Sequence, residues 1–211
     1  MNDGILLNVE FYIVGTAVNT MTILSIVYFS GSGHTHLMAE ALAEGASKVA
    51  DTKVQIFRIT GEQIHNGRWH NAEILEALNQ SDAIVFGSPT YMGGVAAQFK
   101  AFIDCASSAW FQQLWKDKLA GGFTHSASPS GDKHGTLISL AINAAQHSMI
   151  WVGAGEMNQN GVNRLGSYMG VMGQSIPDFS GTKAAELDAG DRLSAELYGE
   201  RIANATKKWN N

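Results

Sequence analysis

The sequence predicts an α/β fold, a five-stranded parallel sheet held between two helical layers as a three-layer α/β/α sandwich. Three observations carry that expectation. Apolar, β-branched runs alternate with stretches whose apolar residues recur at the helical period. The runs are nearly continuous rather than alternating, as in strands buried on both faces, which parallel sheets require. Each run ends abruptly in glycine, serine or proline, where the chain turns toward the next helix. Right-handed crossovers then lay successive helices over the sheet.

The first strand is Thr22 to Phe29, TILSIVYF, and it stops at Ser30-Gly31-Ser32-Gly33. From Thr35 to Ala50 the period becomes helical, with Leu37, Met38, Ala41, Leu42, Gly45, Ala46 and Val49 along one face. Lys53 to Ile59 reads as the second strand, Ile74 to Gln80 as a short helix, and Ala83 to Phe86 as the third strand. A loop from Gly87 to Gly94 follows, then a helix from about Val95 to Ala106 whose inner face is Phe99, Phe102 and Ile103. Leu119 to Thr124 is the fourth strand, His134 to His147 a helix, and Met149 to Gly153 the fifth strand. A closing helix is expected over Asp191 to Lys207, with Leu193, Leu197 and Ile202 inward. The glycine-, asparagine- and serine-rich stretch 154–182 is long for a structureless connection, so it is expected to serve function or subunit contact.

Composition narrows the function classes. The 211 residues are 45% hydrophobic and 16% charged, which suits one folded domain over 21–211. A net charge of -5 lacks the basic excess that neutralises phosphate backbones, so no nucleic-acid partner is expected. Cys105 is the sole cysteine, which leaves no disulfide within the chain and no cysteine-ligated cluster; no metal is expected, and a reducing cytoplasm is the expected compartment. The uncharged run Phe11 to Gly33 is long enough to cross a bilayer. Asparagine, threonine, serine and glycine interrupt it, so no integral membrane segment is expected. Residues 1–20 have no basic start, and Met21 stands directly before the first strand. They are expected to be a dispensable extension, or else a short extra surface element.

Ligands of such sheets lie beyond the carboxyl ends of the strands, where three loops attract attention. Ser30, Gly31, Ser32, Gly33, His34 and Thr35 join a buried strand to a helix N-terminus, whose free amides and dipole favour an anion. No lysine occupies the loop, as a nucleoside triphosphate site would require, so a phosphomonoester is expected. Taken alone, the loop also reads as a turn that caps a helix. At the end of the third strand, Pro89 stiffens the backbone, Thr90 and Tyr91 would border a ring, and Gly93 and Gly94 beside Met92 permit close approach to something flat. The third loop, Ser126-Ala127-Ser128-Pro129-Ser130-Gly131, offers hydroxyls and backbone donors to a polar edge.

On the motifs VYFSGSGHT, AEGASKV, FGSPTYMGG, QFKAFID and HSM the chain resembles the flavodoxin-like family, and more closely the WrbA-type NAD(P)H:quinone oxidoreductases, from Met21 to Trp209. That resemblance implies FMN as cofactor, with its phosphate at Ser30, Ser32, Gly33, His34 and Thr35. The isoalloxazine would lie against Pro89, Thr90, Tyr91, Met92 and Gly93, and Ser126 to Gly131 would complete the pocket. It implies NAD(P)H as co-substrate, a quinone-like acceptor, and a homo-oligomer, dimer or tetramer. Trp110 and His147 stand where the family's tryptophan and histidine face a flavin, often a neighbour's, and His147 is expected to donate to the acceptor oxygen. From the residues alone His147 reads more readily as a capping or packing group, and Trp110, near Phe111 and Trp115, as core or interface. The chain departs from the family at His125, Ser126 and Ala127, where a serine-threonine-glycine run is usual, and at Tyr91, which replaces an arginine. A flavodoxin-type carrier of single electrons is the alternative.

Overall fold

The computed structural model describes residues 21–176, 178, 180 and 182–210. The expectation for residues 1–20 lies outside them. In chain order the elements are β1 (Thr22–Phe29), α1 (His34–Ser47), β2 (Thr52–Ile59), a small hairpin of β3 (Ile64–His65) and β4 (Arg68–Trp69), α2 (Ala72–Asn79), β5 (Ala83–Tyr91), β6 (Gly94–Val95), α3 (Ala97–Cys105), α4 (Ser107–Phe111), β7 (Leu119–Ser126), α5 (Lys133–Gln146), β8 (Ile150–Trp151), β9 (Val171–Gln174) and α6 (Ala189–Asn210). The main sheet has the order β2-β1-β5-β7-β8, with β9 also paired to β7 and every one of these pairs parallel. The expected α/β sandwich of five parallel strand positions is therefore present. Among the described residues no helix is long and apolar enough to cross a membrane.

Side chains of a strand point alternately to the two faces, and both faces here are covered. Leu24, Ile26 and Tyr28 of β1 join Ala83 and Val85 of β5 in one core with Met38, Leu42, Tyr198 and Ile202 from α1 and α6. Val27, Ile84 and Phe86 face the other way and pack with Phe99, Phe102, Trp115, Leu137 and Leu140. Helices α1 and α6 touch backbone to backbone, and glycine makes this possible. A Cβ on Gly45 would lie 1.7 Å from the Glu196 carbonyl oxygen, and one on Gly199 would lie 2.0 Å from that of Leu42.

Three features differ from expectation in ways that shape the site or the core. The third strand runs on to Tyr91, because Gly87 lets the backbone lie against Phe123, whose ring a Cβ there would meet at 2.2 Å. The Gly87–Gly94 loop is thus mostly strand, closed by a two-residue hairpin turn at Met92 and Gly93, both at positive φ. The fifth strand is split. Ile150 and Trp151 pair with the start of β7, the chain leaves, and Val171–Gln174 returns beside Phe123–Ser126. The excursion closes on itself where the Ala154 amide donates to the Tyr168 carbonyl at 3.0 Å, and Gly153 permits that contact. Finally, Leu193 is exposed; Ala195, Tyr198, Ile202 and Ala203 form the inner face of α6 instead.

Candidate functional site

Because the strands are parallel, the loops after β1, β5 and β7 emerge at one edge of the sheet, and the structure joins them by direct contacts. His34 of the first loop stacks on His125 at the end of β7, centroids 4.6 Å apart and 12° from parallel. Tyr91 at the end of β5 lies over the first loop, its hydroxyl 2.3 Å from where a Cβ on Gly31 would stand. The Gly93 carbonyl lies 2.8 Å from a Cβ position on Gly135, at the start of α5.

The first loop is shaped by Ser30, whose Oγ accepts from the Gly33 and His36 amides, both at 3.2 Å, while Arg58 donates to the Ser30 carbonyl at 3.0 Å. Gly33 takes a left-handed φ of 92° at the helix N-cap, and the first turn of α1 has no acidic residue. No acceptor among the described residues takes the amide hydrogens of Ser32, His34 or Thr35. Free amides on the positive end of a 14-residue helix suit a phosphate.

In the second loop the placement divides. Pro89 and Thr90 are buried within β5, and the Thr90 hydroxyl is engaged with Thr124 at 2.8 Å and Thr136 at 2.7 Å. Tyr91, Met92 and Gly93 are exposed. The Tyr91 phenol is pushed up by partial burial.

Beside the third loop opens a cleft of about 920 Å³, with Ser130, His134, Arg164, Tyr168 and Met172 among its walls. Arg164 is held there by Asp191 at 2.6 Å, and that carboxylate also accepts the Gln174 amide at 2.8 Å. A smaller cleft of about 430 Å³, between the β3–β4 hairpin and α3, is lined by Arg68, His70 and Cys105 away from these loops.

His125 donates to or accepts from Ser175 at 3.0 Å, and burial first, then the neighbouring His34, Lys133 and Arg164, lowers it to about 3. His34 is lowered by burial and lies 3.1 Å from the Ser32 hydroxyl. The sequence marks His125 only as a departure from the family and His134 only as the start of a helix, and Lys133 is not named there at all. A histidine and a lysine beside a serine-glycine loop were the available signals.

Trp110 and His147 are not brought to the three loops of their own chain. Helix α5 descends from the carboxyl edge, so His147 lies where β8 starts beside Leu119, at the amino edge. Its ring is buried, stacks on Trp115 at 4.2 Å, and is lowered to about 4 by burial. Trp110 follows α3 to the same edge and is 48% exposed.

Comparison with known proteins places the chain in a family. Residues 24–163 match the model of the family described as NADPH-dependent FMN reductase. The chain is 40% identical over 186 residues to "Flavodoxin FldP" of Pseudomonas aeruginosa, covering 84% of this chain and 93% of that protein. It is 30% identical over 200 residues to an "NAD(P)H dehydrogenase (quinone)" of Geotalea uraniireducens, covering 85% and 95%. The crystal structure of a "flavodoxin, WrbA-like protein" from Agrobacterium tumefaciens superposes with a TM-score of 0.71 at 40% identity, covering 89% of this chain and 98% of that one. The chain therefore belongs to the NADPH-dependent FMN reductase family, oxidoreductases of flavodoxin-like fold that pair FMN with a reduced nicotinamide.

Proposed function

We propose that the chain is an FMN-dependent NAD(P)H:quinone oxidoreductase, a related flat acceptor falling in the same class, which works in two half-reactions at one flavin site. The observation that supports it best is the meeting of three donor-rich loops beside an open cleft of about 920 Å³. The residues present fit FMN. The amides of Ser32, His34 and Thr35, with the hydroxyls of Ser32 and Thr35, seat its phosphate. Tyr91, Met92 and Gly93 border the ring, and Ser126 to Gly131 face its polar edge. Bound FMN supplies the hydride and electron chemistry.

The chain's own work is to bind, orient and exclude water. The third loop and Tyr91 fix the ring from two sides, and the cleft walls, His134, Tyr168 and Met172, receive first the nicotinamide and then the acceptor. His147 serves packing under Trp115. The relatives named NAD(P)H dehydrogenase (quinone) support the acceptor class. A single cysteine accords with a reducing cytoplasm.

Trp110, Phe111 and Leu114 leave 48%, 83% and 39% of their surfaces exposed, and Ile138 and Ile142 of α5 are exposed on the same side of the sheet. We infer that a second copy of the chain covers this face, as a dimer or tetramer. The relative named flavodoxin favours a second reading, a single-electron carrier with a protein partner. Steady-state turnover of the FMN-loaded protein with NADH or NADPH and benzoquinone separates the two. Rapid oxidation of the nicotinamide is expected; its absence, with FMN bound, removes the quinone-reductase reading and favours the carrier.

A further inference from the structure

Lys133, the first residue of α5, is completely buried beneath the third loop. Its ammonium reaches three oxygens, the Ser126 hydroxyl at 2.9 Å and the carbonyls of Ser128 at 2.7 Å and Pro129 at 3.0 Å. The Ser126 hydroxyl spends its own hydrogen on the Ser128 carbonyl at 3.1 Å, so toward Lys133 it accepts. Three acceptors call for three N–H donors. An ammonium has three and a neutral amine only two, so the geometry selects the charged form, although burial pulls Lys133 down. Of the charged groups around it, Asp191 favours the ammonium and Arg164 opposes it, each largely occupied by the other.

The rest of the loop is drawn inward as well. Gln174 donates to the Ala127 carbonyl at 2.7 Å, and the Lys133 amide to that of Ser130 at 3.2 Å. Every carbonyl from Ala127 to Ser130 thus has a donor from the protein. No acceptor among the described residues takes the amide hydrogens of Ala127, Ser128, Ser130 or Gly131. Gly131 and Asp132, at φ 55° and 53°, complete the turn, and a Cβ on Gly131 would collide with the Ser126 hydroxyl at 2.4 Å.

We propose that Lys133 is a positioning residue for the flavin: it holds the third loop with its carbonyls inward and its amides free for the ring's acceptor edge, and its buried charge favours the reduced, more negative cofactor. The inference rests on the reading of this edge as the FMN site. Its consequence is specific to the ring, because the phosphate seat on α1 is a separate set of donors.

The test compares purified wild type with Lys133→Met, which keeps the apolar stem and deletes the charge, using titrations with FMN and riboflavin and redox equilibration against dyes. Lys133→Met should bind both flavins about tenfold more weakly, leaving the FMN-to-riboflavin ratio unchanged. The reduced flavin should lose a further tenfold, a midpoint about 30 mV lower. A folded variant with wild-type affinity and potential overturns the proposal. Wild type that binds no FMN overturns the site reading instead. Should Lys133→Met fail to fold, amide exchange of the wild type decides: FMN should protect Ala127, Ser128, Ser130 and Gly131, and unaltered exchange at all four overturns the proposal.

Discussion

The two edges of the sheet use the same chemistry to different ends. At the amino edge Lys118 donates to the carbonyls of Leu78, Asn79 and Ser81, and His147 stacks on Trp115. At the carboxyl edge Lys133 donates to three oxygens of the third loop, and His125 stacks on His34. Each edge thus has a lysine gathering three acceptors and a histidine in a ring stack. The difference lies in what is left over. Lys118 ties together carbonyls at and just beyond the end of α2, and its work ends there. Lys133 satisfies carbonyls of a loop whose amides then remain available. A tie of the same kind closes a structure at one edge and opens a binding surface at the other.

The largest effect should come from breaking the amino edge. Trp115 is wholly buried, stacks on His147, and donates its indole N–H to Asn79 at 2.9 Å. Trp115→Ala should cost about 3–5 kcal/mol of stability in urea unfolding. The folded fraction should bind FMN as wild type does, and a parallel loss of affinity would show that the two edges are coupled.

Acid should loosen both edges at once. His147 and His125 are held neutral by burial, lowered to about 4 and about 3, so between those values and 6.5 the unfolded chain binds more protons than the folded one. Stability is therefore complete above about pH 6.5 and is lost as pH falls, on the order of 3 kcal/mol for each histidine by pH 4. Unfolding midpoints against pH check this. His147→Phe should flatten about half of that slope, and an unchanged slope would mean that His147 is not the group responsible.

How much of this comparison was legible in the sequence depended on the range of the interactions. The strand at Thr22–Phe29 declares itself because a continuous apolar run reflects burial on both faces, and the fourth strand was legible over Leu119–Thr124, two residues short of its end at Ser126. The four-residue β9, with Gly173 inside it, has no such pattern; its place is set by pairing with a strand far away in sequence. The three loops were legible because parallel strands must deliver their ends to one edge. Lys133 was not, since a lysine one residue before a helical run reads as solvated until tertiary structure buries it. Leu193 failed in the opposite sense. Where α6 meets α1 backbone to backbone, Gly199 and Ala203 occupy the contact and the larger leucine turns outward.

A smaller effect confined to the carboxyl edge should follow from Thr35→Ala. Thr35 is buried at the start of α1, where the phosphate would sit. Loss of one hydrogen bond to a charged group should weaken FMN by about 1.5–3 kcal/mol and leave riboflavin almost untouched, as read by flavin fluorescence quenching. Equal losses for the two flavins would move the phosphate away from this loop and remove the distinction drawn here between the phosphate seat and the ring-facing loop.

The smallest effect on the folded chain should come from the exposed aromatics of the amino edge, and it sharpens the comparison most. Trp110 and Phe111 hang from the short helix α4 with 48% and 83% of their surfaces in solvent, so neither contributes much to the core. Surface substitutions of this kind usually change stability by less than about 0.5 kcal/mol. Trp110→Ala should therefore leave unfolding nearly unaltered. If a second copy covers this face, however, the same substitution removes a large, rigid side chain from the centre of the contact, where truncation commonly costs about 2 kcal/mol or more. The assembly should then dissociate at protein concentrations roughly 30-fold higher than wild type requires, by light scattering across a dilution series. Reductase activity per subunit should fall with dissociation if Trp110 reaches the partner's flavin, and hold steady if it only glues the copies together. Wild type that scatters as a monomer at every concentration removes the interface altogether, and leaves Trp110 and Phe111 as exposed side chains with no partner to cover them.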